Sequence, residues 1–556
     1  MSKRARTQNS RTWVLPLVAG VLFILVSCLS CWIVYQIIQR EFGSENQVAL
    51  EAAYSPEKQA LFGELVKRFN AARHRTPSGK RITVTAHEME PEAMIAAALV
   101  GQYEILSPDS SIWLSQLEAA WSQQQTSEAS IVGETTRFAV SPVVIAMWEE
   151  TALSLGYPDK AIGWMDILSA AQTDPDFKWS HPSTSSASGL LATLATFYAG
   201  AGKTRGLTVE DATAEETVAY VTALEKTVRH YGEGEIAVIQ QAQEMGRAYL
   251  DAFVVQEQLV IQFNEQNRDK LVAIYPVEGT MWEDHPLVFL ERSDTTAEQR
   301  QAYRSFRDFL LSQDAQMLAL SNGYRPTDLT IALDDPSSPI TRDNGVDPTQ
   351  PKTTLQIPSP SVVEVVRDVW YYTKRKTNVY LVADVSGSMQ GEKLGQAKEA
   401  FLTFLTLMRG DQERVGLIVF SSDVRETVPM AELASNRRVL QSAISGLHAD
   451  GDTALLDAVD WAYEALQDRQ DRERINAIVV MTDGKENNSR IRLRDLTQKL
   501  QRGNQSGLPI VTFCVAYGSD ADMGTLQAIV AATGGQTRRG SPETIRELYK
   551  LLSTYF

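Results

Sequence analysis

Asp384-Val385-Ser386-Gly387-Ser388 sets an acid and two hydroxyls at alternate positions of one short loop. An apolar run, Val379 to Ala383, precedes it and reads as a buried strand. A helical spacing comes next, carried by Leu394, Ala397, Phe401, Leu402, Leu405 and Met408. The polar loop therefore falls at the carboxyl end of a strand, where open α/β sheets keep their binding sites. One such loop is a weak signal, because Asp384 and Ser386 could simply cap the next helix. Two later stretches add to it. Gly451-Asp452-Thr453-Ala454-Leu455 stands just before a helical pattern, and Met481-Thr482-Asp483-Gly484 ends a second apolar run. Hydroxyls and carboxylates are hard oxygen donors. They suit Mg²⁺, which takes six oxygens in an octahedron and usually keeps some of its waters.

The elements that must position these loops alternate strongly. Strands are expected at 378–383, 414–420, 475–481 and 509–516. Helices are expected at 393–408, 436–447, 454–468, 491–502, 524–532 and 542–553. Apolar strand runs of this kind suit a parallel sheet covered on both faces. From Lys376 to Phe556 the chain resembles von Willebrand factor type A domains. Asp384, Ser386, Ser388, Thr453 and Asp483 match the family's metal-ion-dependent adhesion site at every position. The resemblance implies one Mg²⁺ (or Mn²⁺) held there. Ser386, Ser388 and Thr453 would serve as neutral ligands, while Asp384 and Asp483 would orient coordinated waters. It also implies a protein partner whose acidic side chain completes the octahedron.

The first half of the chain alternates differently. Val48–Tyr54, Arg81–Ala86, Tyr103–Leu106 and Phe138–Met147 are expected strands. Helices start at Ser55-Pro56-Glu57-Lys58 and at Pro91. That order predicts a mainly parallel sheet flanked by helices. Residues 46–332 resemble type II periplasmic solute-binding proteins. The resemblance is carried by Tyr54-Ser55-Pro56-Glu57-Lys58, Ser107-Pro108-Asp109-Ser110-Ser111, Ser141-Pro142-Val143-Val144, Ser183 to Gly189 and Gly323-Tyr324-Arg325-Pro326, in that order. It implies two α/β lobes with a ligand in the cleft and crossings at Phe138–Met147 and Gln258–Phe263. Serine hydroxyls and free N–H groups at helix starts favour an anion. Ser55, Ser110, Ser111, Ser186 and Ser188 are the expected contacts to a small anionic solute. Any one of them could instead be a plain helix cap.

Composition sets outer bounds. A chain of 556 residues exceeds one core and predicts two or three domains. With 53 Lys+Arg against 69 Asp+Glu, the net charge is −16, which argues against nucleic acid as the main partner. Lys3, Arg4, Arg6 and Arg11 lead into the uncharged run 13–38, long enough to cross a bilayer. Basic residues ahead of such a run place the chain beyond it outside the cytoplasm. Leu25-Val26-Ser27-Cys28 is the competing lipoprotein signal. Asp334-Asp335-Pro336 and Pro358-Ser359-Pro360 mark 333–360 as a stiff linker, with a helix at Val362–Tyr372 packing onto the last domain. Gly202-Lys203-Thr204 lacks the first glycine of a phosphate loop, and the histidines make no zinc pair.

The expected protein is α/β. A cytoplasmic tail at 1–12 and a transmembrane anchor at 13–38 precede a two-lobed binding domain at 46–332. A linker at 333–360 leads to a doubly wound, Rossmann-like domain at 361–556. It would be a non-enzymatic binding protein of the cell membrane, single-pass, with its bulk outside. A transport receptor or ligand sensor, with the last domain as an assembly module, is the alternative.

Overall fold

The computed structural model describes residues 46–124, 129–232, 234–408, 410–518 and 521–540. The run 13–38, Cys28 and the helix expected at 542–553 lie outside the described residues.

Gln47–Tyr54, Arg81–Glu88 and Ile105–Ser107 pair in parallel, as their apolar runs and intervening helices require. Pro286–Leu290 joins them antiparallel and carries Val132–Arg137 on its far side. The helix Gln59–Ala72 turns Leu61, Phe62, Leu65 and Phe69 onto this sheet, at spacings of one helical face. Its other face shows Glu64 paired with Lys67 and Arg68 to solvent.

The second lobe is built on Ala139–Trp148, which continues directly from the first sheet. Ala252–Gln256, Leu271–Ile274, Trp282–Glu283 and Arg325–Pro326 all pair antiparallel to it. The second crossing is not where the sequence places it. Gln258–Phe263 lies in the helix Glu257–Gln266. Its short apolar run is the kind that strand and helix share, and Leu259, Val260 and Phe263 make a helical face. The return to the first lobe runs instead from Trp282–Glu283 to Pro286–Leu290.

The last sheet runs Val424–Glu432, Arg414–Phe420, Thr377–Asp384, Ile475–Thr482, Ile510–Tyr517, Thr537–Gly540. All neighbours are parallel except the first pair. Alternate residues of its central strand feed opposite cores. Val379 and Leu381 meet Phe401 and Phe404, while Tyr380 and Val382 share the cluster of Leu455 and Val459. Val424–Glu432 and Thr537–Gly540 are not among the expected strands. They are edge strands with exposed polar positions such as Arg425, Glu426 and Arg539, so their sequences lack the apolar signal.

Segment 333–360 is not a free spacer. Ile340, Val346 and Leu355 are buried, Thr354 bridges Thr280, and Tyr198 donates its hydroxyl proton to the Gln356 carbonyl at 2.7 Å. The helix Pro360–Thr373 packs on the second lobe rather than mainly on the last domain. Val362, Val363, Val366 and Trp370 share one core with Leu190, Tyr198 and Leu224. An apolar helical face says that it must be covered, not by which partner. Val366→Ala should cost about 2 kcal/mol by lost burial and residual cavity. Differential scanning calorimetry should show it in the transition of the two-lobed region. An unmoved transition there would place the helix elsewhere.

The expected membrane localisation is corrected. Among the described residues no helix is long and apolar enough to cross a membrane. Their apolar faces are spent on the sheets, as in Gln59–Ala72. The anchor reading rests on residues outside the described set.

Candidate functional site

The oxygen donors of the last domain meet at the carboxyl ends of two adjacent parallel strands. Asp384 ends the central strand, and Asp483 comes directly after its neighbour Ile475–Thr482. Asp384 is fully buried. Its Oδ1 accepts from the Ser386 N–H at 2.8 Å and its Oδ2 from the Thr482 hydroxyl at 2.5 Å. These two bonds fix the carboxylate against rotation. Burial pushes its pKa up, bonds from Ser386 and Thr482 draw it down, and the nearby Asp483 charge pushes it up again.

Ser386 and Ser388 stand with their hydroxyl oxygens 3.0 Å apart, and Ser388 donates to Asp483 Oδ1 at 2.6 Å. Thr453 comes from the loop before the helix Leu455–Arg469, where the Asn487 side chain accepts from its N–H at 2.9 Å. A Cβ at Gly484 would meet Thr453 Oγ1 at 3.2 Å and Ser388 Oγ at 3.4 Å. The bare glycine thus keeps the space between the hydroxyls open. Gly451 shapes the same loop with φ +86°, and a Cβ there would meet Ser422 Oγ at 2.7 Å. The structure brings all five expected residues together. Four are buried, whereas Ser388 is exposed and marks the open side.

Three hydroxyls and two carboxylates around a glycine-lined space fit a hard divalent cation. Sequence reasoning missed Lys393, whose ammonium is ion-paired with Asp483 Oδ2. It missed Thr482 and Asn487 as well. Nothing in local sequence marks them, because each acts across strands or loops.

The interlobe cleft holds the second candidate site. Ser55 donates its hydroxyl proton to Glu57 Oε1 at 2.6 Å. Ser110 Oγ accepts from the Ile112 N–H, and the Ser111 N–H donates to Asp284 Oδ1 at 2.7 Å. Ser186 caps the helix Ala187–Gly200 by accepting from the Gly189 N–H at 3.2 Å. Ser188 is buried beside Glu235. Three of these serine junctions, at Ser55, Ser111 and Ser188, thus face carboxylates. That surrounding opposes the anion the serines alone would favour, because like charges meet without screening in a dry site.

The carboxylates are Glu57, Asp109, Glu235 and Glu283, each at least nine-tenths buried. Burial raises the pKa of every one, and neighbouring carboxylates push Asp109, Glu235 and Glu283 further up, Asp109 to about 7. Lys58 lies among them. Its ammonium donates to the Pro108 carbonyl at 2.6 Å and lies 3.7 Å from Glu57. Burial lowers its pKa. His285 closes the group with φ +31°, a strained value of the kind that persists at binding sites. A separate cavity of about 1040 Å³ is lined by Ser111, Trp282, Asp284, Gln356 and Arg367 among others, with none of the four carboxylates in its wall.

The molecule thus carries two modules built for binding, a two-lobed cleft and a sheet-edge oxygen site. Both match known families. Residues 50–325 match the family of bacterial extracellular solute-binding proteins, and residues 378–549 the von Willebrand factor type A domain. The two matched regions lie one after the other along the chain, without overlap.

Among curated proteins it is similar to inter-alpha-trypsin inhibitor heavy chain H4 of Homo sapiens, 28% identical over 174 residues. That match covers 30% of this chain and 18% of the relative, so the chain spans under a fifth of the relative's length. Among solved structures it is similar to a ferric binding protein from Campylobacter jejuni, at 14% identity and TM-score 0.39, covering 57% of this chain and 96% of that one. A von Willebrand factor type A protein from Catenulispora acidiphila matches at 22% identity and TM-score 0.28, covering 33% and 43%.

Proposed function

We propose that the chain is an extracytoplasmic binding protein, not an enzyme, with two separate binding events. The lobes of residues 50–325 close on a small solute. The domain at 378–549 holds one Mg²⁺ or Mn²⁺ at Asp384, Ser386, Ser388, Thr453 and Asp483 and captures an acidic side chain of a protein partner. The observation that carries this is the convergence of those five side chains from three loops, with Ser388 facing solvent. The bound ion would supply positive charge that few direct carboxylates offset. Ser386, Ser388 and Thr453 would present neutral oxygens to it, and Asp384 would hold the serine loop in place through its two accepted bonds. Metal and partner then strengthen each other equally in both directions. The family match to extracellular proteins supports a secreted or periplasmic setting.

Lys393 supplies a test. Its ammonium competes for the Asp483 carboxylate, so Lys393→Ala should raise the affinity for Mg²⁺. The gain should be about fivefold at most, because the lysine is partly exposed and such pairs are weak. Calorimetric titration of the full chain with Mg²⁺ measures it. Weaker binding by the variant would show that Lys393 helps to hold the site. Absence of Mg²⁺ and Mn²⁺ binding, with or without an acidic peptide, would sink the metal reading.

A further inference from the structure

The cleft cluster is unbalanced in charge. Glu57 and Asp109 come from the first lobe, Glu283 from the strand Trp282–Glu283, and Glu235 from the start of the helix Glu235–Met245 in the second lobe. Facing them are the ammonium of Lys58, the imidazole of His285 and, further out, Asp284. Uncharged neighbours are Ser55, Ser188, Gln256, Gln258 and Tyr324. Four carboxylates therefore share one lysine, and that lysine already donates to the Pro108 carbonyl.

The unmatched atoms show what is wanted. Glu283 is fully buried, and neither of its oxygens has a hydrogen-bond partner among the described residues. His285 is also fully buried, and neither ring nitrogen has one among them. Its Nδ1 lies 3.7 Å from Glu57 Oε1, and the Lys58 charge is also close. Carboxylate oxygens only accept, so a group that satisfies them must donate. An anion would leave them unmatched and add repulsion. A metal cage is not formed either. Among the described residues no three His, Cys, Asp or Glu side chains are grouped so as to hold an ion.

We propose that the cleft closes on a solute carrying a primary ammonium group, with Glu283, Glu235 and Glu57 as its acceptors. The inference rests on the solute-binding reading and names the ligand class for it. An ammonium offers donors without acceptors, plus the positive charge that lets Glu235, and Glu283 of the second sheet, approach Glu57 and Asp109 of the first lobe. Without the solute, protons must be taken up for the same closure.

The test is calorimetric titration of the full chain at pH 8 with Mg²⁺ held constant. The probes are putrescine, spermidine, sulfate and glucose. Putrescine or spermidine should bind, and Glu283→Gln should weaken that binding by about 30-fold or more, the usual cost of removing one partner of a buried charge pair. Glu235→Gln, at a helix start, gives a second reading if Glu283→Gln fails to fold. Wild-type affinity should also fall as the pH is lowered, because protons compete with the amine. Binding of sulfate or glucose without the amines would overturn the ammonium class and leave the solute-binding reading standing. Amine binding that is unchanged in both variants, or independent of pH, would place it outside the cluster and overturn the inference. Absence of heat with every probe would overturn it too, and would count against solute binding for all these classes.

Discussion

Asp384→Ala should weaken Mg²⁺ binding by the full chain by about 10- to 100-fold, the usual penalty for losing a group that orients metal ligands. The carboxylate holds the Ser386 N–H at 2.8 Å and the Thr482 hydroxyl at 2.5 Å. Alanine frees the serine loop and removes a negative charge from the site. Burial raises the pKa of this carboxyl, so wild-type affinity should also rise with pH as the group ionises. Asp384→Asn keeps one of the two acceptors, loses the charge and should fall between the two. The alanine variant leaves buried donors unmatched, at a stability cost of about 1–3 kcal/mol. The melting temperature must therefore be recorded beside the titration. A folded Asp384→Ala protein that binds Mg²⁺ as tightly as the wild type would refute the site.

The second large effect is in stability against pH. Burial first, and then the Glu57 charge, raises Asp109 from 3.8 to about 7 in the fold. A carboxyl whose folded pKa lies above its unfolded value holds its proton more tightly when folded. Its contribution is fully present below about pH 4 and is lost as the pH rises through about 7. The whole shift corresponds to an upper bound of about 4 kcal/mol. Glu57, Glu235 and Glu283 act in the same direction. The two-lobed region should therefore melt higher at pH 5 than at pH 8 when no solute is added. Asp109→Asn should flatten that fall, since the amide still accepts from Trp113 through its oxygen. Parallel melting curves for variant and wild type between pH 4 and 8 would show that the cluster does not control closure.

Sequence alone settled what periodicity and local chemistry encode. Val379 to Ala383 and Ile475 to Val480 are apolar without break because both sheet faces are covered. An acid or hydroxyl after each run then has to lie at the sheet's carboxyl edge. That logic placed Asp384, Ser386, Ser388 and Asp483, the resemblance to von Willebrand factor type A domains added Thr453, and the structure gathers the five. It also marked the serine-rich helix starts of the cleft. Tertiary structure decided what depends on contacts between distant residues. No local pattern in the sequence says that folding will bury Glu57, Asp109, Glu235 and Glu283 together. The cationic ligand proposed for the cleft rests on that one fact. Lys393 on Asp483 and the helix Pro360–Thr373 on the second lobe are further cases. A sequence shows that an apolar face or a charge needs a partner, but the choice of partner is made by the packing of the whole chain.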